Sequence, residues 1–111
     1  MLLKFSMIIL GSQLLIAVVD DVPHFDIAKG CKIDNTSSFD LNAGMNETVK
    51  RCARDEQQAK GQLQTQWSGF INADRVLCTG LTTNDRSNPP SYVELLTCLQ
   101  DQQIARKLPK Q

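Results

Sequence analysis

The chain has 111 residues, room for one small domain. Twelve basic side chains balance twelve acidic ones, so no charge excess points to nucleic acid or an anionic membrane surface. One Trp, one Tyr and four Phe are too few for a base-stacking platform.

The chain opens MLLKFSMIILGSQLLIAVVDD, in which Lys4 is the only charge before Asp20. A short basic start followed by roughly 7–15 apolar residues is the layout of a secretory signal peptide. A membrane-spanning helix needs roughly 20 apolar residues. Residues 1–19 are therefore expected to be a signal peptide, cut after Ala17-Val18-Val19, an imperfect small-x-small site because valine is bulkier than the usual alanine. Residues 20–111 are then a single small exported domain, with no stable membrane span. A domain of that size buries only about 60–65% of its unfolded surface and is marginal without further support.

Residues 20–26, DDVPHFD, read as a flexible lead-in. The segment FDIAKGCKID can form a short helix around Ile27 and Cys31, weakened by Gly30. DNTSSFDLNAG reads as a loop. NETVKRCARDEQQAKGQLQTQWSGF carries the longest helical pattern, with Asn46 as N-cap. Its stripe runs through Val49, Cys52, Ala59, Leu63, Trp67 and Phe70, with Glu56 the one polar member. Glu56 and Lys60 stand in the favourable i,i+4 order.

NADRVLC predicts a short second helix, capped by Asn72, with Ala73, Val76 and Leu77 facing inward. TGLTTNDRSNPP reads as a polar loop. Ser91 and Glu94 then form the capping-box pattern, and Tyr92, Leu95, Leu96 and Leu99 mark the apolar stripe of a last helix through about Ile104. Residues 107–111 read as a flexible tail. No β-alternation of useful length and no internal repeat is present. The fold class is all-α, a small domain of three to four helices.

Cys31, Cys52, Cys78 and Cys98 all follow the signal segment. An even count in a short exported chain implies two disulfides, with three connectivities open. Each bridge is worth roughly 3–4 kcal/mol in the chain-entropy model, comparable with the net stability of such a domain. If the long and last helices pack antiparallel, Cys52 and Cys98 come level, which favours Cys52–Cys98 with Cys31–Cys78. Zinc is a poor alternative. No two cysteines lie closer than 20 residues apart, and His24 is the only histidine, whereas structural zinc sites use closely spaced ligand pairs. No metal and no cofactor are expected.

Chemistry is poorly supplied. A serine or cysteine nucleophile needs a histidine base, and His24 sits in the lead-in. Asp55, Glu56, Glu94 and Asp101 are explained by helix capping and pairing, although glycosidase-type work uses two carboxylates across a cleft. Glu56, inside the apolar stripe, is expected to reach for Lys60 or Arg75. The run from Asp34 resembles a calcium loop superficially, but Phe39 stands where the glycine belongs and Met45 where the bidentate Glu belongs. Asn35-Thr36-Ser37 and Asn46-Glu47-Thr48 match the glycosylation pattern. Trp67, Phe70 and Tyr92 are candidates for a partner surface, with the core as the competing place for Trp67 and Phe70.

The segments RCARDEQQAKGQLQTQWSGFINADRVLC and PSYVELLTCLQ resemble a group of short, exported, four-cysteine bacterial proteins of rhizobial type, of no known activity. The resemblance rests on Cys52, Asp55, Glu56, Gln57, Ala59, Leu63, Trp67, Ala73, Asp74, Arg75, Cys78 and Pro90 through Leu99. It covers most of residues 25–100. Those proteins often carry G-G-S before the Pro-Ser-Tyr, where this chain has Arg86-Ser87-Asn88-Pro89. The resemblance implies a periplasmic or secreted bacterial protein and brings no catalytic residue; it also argues against glycosylation. The expected function is that of a non-catalytic envelope interaction or accessory protein, with a protein partner and an oligomeric state that the sequence does not name. The alternative is a small-ligand-binding module, and an enzyme comes third.

Overall fold

The computed structural model describes residues 20–34 and 44–109. Residues 1–19, read as a signal peptide, residues 35–43 of the calcium-like run with the Asn35 acceptor, and the last two residues lie outside them. The described residues are all-α, with four helices: α1 (Ile27–Asp34), α2 (Gly44–Gln66), α3 (Asn72–Thr83) and α4 (Tyr92–Lys107). A 3-10 turn, Trp67–Gly69, follows α2.

The expected elements are present, with shifted ends. Helix α2 begins at Gly44, so Asn46 lies inside its first turn rather than at its cap. Helix α3 runs on through TGLTT to Thr83, where the polar letters suggested a loop. Ile71, not Asn72, occupies its N-cap position and supplies no side-chain cap. Helix α4 extends to Lys107, about one turn beyond the expected end near Ile104.

Helices α2, α3 and α4 run up, down and up. The end of α3 meets the start of α4, where the Ser91 amide donates to Thr82 Oγ1 at 3.0 Å. The start of α3 meets the end of α4, where Arg106 holds Asp74. Two short reversals make α2 and α4 parallel, with Glu56 level with the first turn of α4. At about 1.5 Å per residue, the 23-residue α2 outreaches α4 at its N-terminal end, and α1 packs there.

This direction decides the disulfides. The bonds are Cys31–Cys52 and Cys78–Cys98, each with Cα atoms 5.7 Å apart. The expected Cys31–Cys78 and Cys52–Cys98 pairing required antiparallel α2 and α4. In the parallel arrangement Cys52 lies a turn before Glu56, beyond the start of α4, while Cys98 lies well inside α4. Cys52 therefore meets α1, and Cys98 meets α3.

The core is a single cluster built from Ala59, Leu63, Trp67 and Phe70 of α2 and its following turn, Tyr92, Leu95, Leu96 and Leu99 of α4, Cys78 of α3, and Phe25. Tyr92, Leu63, Leu95 and Leu99 are fully buried. Phe25, within the segment 20–26 read as a lead-in, is buried in the core. Its ring lies 4.6 Å from that of Tyr92, and its amide donates to the Tyr92 hydroxyl at 2.8 Å. That hydroxyl donates to the Pro23 carbonyl at 2.9 Å. The lead-in thus forms a strap against the core, with Val22 packed on that core and the Tyr92 hydroxyl bonded to both Pro23 and Phe25.

Candidate functional site

Two features stand apart from ordinary packing: a buried polar knot at the start of α4, and the outer face of α3.

The knot begins with Ser91. Its backbone is extended, and its hydroxyl accepts from the Glu94 amide at 3.2 Å, one half of the expected capping box. The other half is supplied from elsewhere. The Ser91 amide turns to Thr82, and Thr82 Oγ1 donates to Glu94 Oε2 at 3.4 Å. Glu56, only 8% exposed, reaches across from α2. It accepts from Ser91 Oγ and the Tyr92 amide, each at 2.6 Å, and from the Val93 amide at 3.4 Å.

A carboxylate at a helix N-terminus satisfies amides that have no partner inside the helix and sits favourably against the helix dipole. Glu56 therefore caps α4 and does not pair with Lys60 or Arg75. Lys60 instead places its ammonium 5.7 Å from the centre of the Tyr92 ring, and Arg75 its guanidinium 5.9 Å from that of Trp67, both within cation–π range.

Beside the knot is a hollow of about 60 Å³ lined by Gly30, Cys31, Cys52, Glu56, Ser91 and Glu94, among others. That is room for a few water molecules, far below the roughly 300 Å³ of a typical small-ligand pocket. Glu56 and Glu94 both border it, but Arg75 packs on Trp67 towards the other end of the bundle. His24 is exposed on the strap. None of the four cysteines is free.

The outer face of α3 reverses the expected orientation. Asp74, Cys78 and Thr82, at i, i+4 and i+8, are the buried residues of this helix. Each finds a polar or covalent partner on α4. Asp74 takes two short bonds from Arg106, at 2.7 and 2.9 Å. The Arg106 guanidinium holds the Asp74 carboxyl below its ordinary range, against burial, which pushes it up. Cys78 is joined to Cys98, and Thr82 binds the start of α4.

With its polar edge turned inward, α3 presents its apolar residues to solvent. Leu77 is 46% exposed, Leu81 62% and Ile71 47%, with Ala73 also exposed and Val76 partly so. Between the two leucines lies Gly80. A Cβ built there would meet only the Asn84 side chain, at 3.8 Å, so packing within this chain does not require glycine.

Trp67, Phe70 and Tyr92, the candidates for a partner surface, are instead core: they are 5%, 2% and 0% exposed. Their stripes are the true inner faces of α2 and α4. The signal for the outer face of α3 was present in its Val76-Leu77 and Leu81 spacing, but periodicity identifies an apolar face without saying which way it points. Nothing local announced the Asp74–Arg106 clamp, whose partners lie 32 residues apart.

No protein-family model matches the chain, and no curated protein or solved structure matches it either. No helix among the described residues is long and apolar enough to cross a membrane.

Proposed function

We propose that this is an exported, non-catalytic interaction or accessory protein of the bacterial cell envelope, and that it docks through the outer face of α3. The observation that carries the reading is the orientation of that helix. Its inner face is held by the Cys78–Cys98 disulfide and by the polar contacts of Asp74 and Thr82, while Leu77 and Leu81 stand in solvent around the Gly80 notch. Grouped exposed apolar residues of this kind mark interaction sites more often than isolated ones do. Export is supported by the two disulfides, which persist in oxidising compartments, by the signal-like first 19 residues, and by the resemblance to exported four-cysteine proteins of rhizobial type. Small-ligand binding has weaker support, since the hollow beside the knot holds only about 60 Å³ and the larger depressions lie open on the surface.

The test is site-specific photocrosslinking in the envelope, with a benzophenone side chain at Leu77 and a control at exposed Gln100 of α4. A discrete adduct from position 77, absent from position 100 and lost when Leu81→Glu is added, is the expected result. Identical products from both positions, or a position-77 adduct that survives Leu81→Glu, would refute docking through α3. The intact mass of the recovered protein tests export separately. A chain starting near Asp20 that takes no alkyl groups before reduction is expected; a full-length chain with four reactive thiols overturns it.

A further inference from the structure

We draw no further inference here: the strongest candidate, the solvent-facing ridge of α3 formed by Leu77, Gly80 and Leu81 taken as a contact for a second copy of the chain, belongs to the surface already described, and nothing in the structure shows what covers it.

Discussion

Replacing Glu56 with alanine should destabilise this domain far more than replacing an exposed carboxylate. The side chain is nearly buried and takes two 2.6 Å bonds, from the Ser91 hydroxyl and the Tyr92 amide. Hydrogen bonds to a charged group contribute about 1.5–3 kcal/mol each, and the helix dipole adds about 0.3–1 kcal/mol. Truncation also leaves the Tyr92 amide buried without its acceptor. The expected loss is about 3–7 kcal/mol, against a total of roughly 5–13 kcal/mol for a domain of this size. Glu56→Gln keeps one acceptor oxygen and should lose about half as much.

The assay is urea unfolding of the oxidised protein, comparing midpoints at unchanged m-value. Glu47→Ala is the control. Its carboxylate meets Lys50 at 3.7 Å on an open surface, where such pairs are worth less than about 1 kcal/mol. A double-mutant cycle with Ser91→Ala should return a coupling of about 0.5–3 kcal/mol, as for residues in direct contact. If Glu56→Ala costs no more than Glu47→Ala, or the cycle shows no coupling, then Glu56 does not cap α4 and the knot is misread.

Three further outcomes are expected. Tyr92→Phe removes the hydroxyl that serves both Phe25 and Pro23; it should cost about 1–3 kcal/mol and raise hydrogen exchange at the Phe25 amide before the bundle opens. Non-reducing digestion should return Cys31 with Cys52 and Cys78 with Cys98, and replacing either pair by alanine should cost about 3 kcal/mol for a loop of this length. The depressed Asp74 carboxyl gives a definite sign to the pH response. Its stabilising contribution is complete above the ordinary pKa of 3.8 and is lost as the pH falls through the lower folded-state value. Thermal unfolding in acid should therefore show a shallower decline for Asp74→Asn than for the parent; equal slopes would mean that Arg106 does not hold the carboxylate.

Helix α4 was the most legible element, because two independent signals agree on it. Ser91 caps it, and Tyr92, Leu95, Leu96 and Leu99 all face the core that their spacing predicted. Helix α2 was legible from its stripe, though not from its cap, and even its polar intruder Glu56 sits on the buried face. Helix α3 was found but turned the wrong way, since its inward residues are Asp74, Cys78 and Thr82, whose partners lie on another helix. The disulfide pairing failed on helix direction. Two short connections imply two reversals, and that count alone makes the first and third bundle helices parallel. The strap was missed because Phe25 is a single aromatic between polar neighbours, and periodicity needs more than one residue to register.

The pairing of each cysteine with the next one along the chain has a consequence for biogenesis. Under the export proposed above, a polypeptide threaded N-terminus first into an oxidising compartment exposes Cys31, then Cys52, then Cys78, then Cys98. An oxidase that joins thiols in order of arrival would thus form both native bonds directly, with no shuffling afterwards. Maturation should then proceed with an oxidase alone, and cells lacking a disulfide isomerase should accumulate the correctly bonded form as readily as cells that have one.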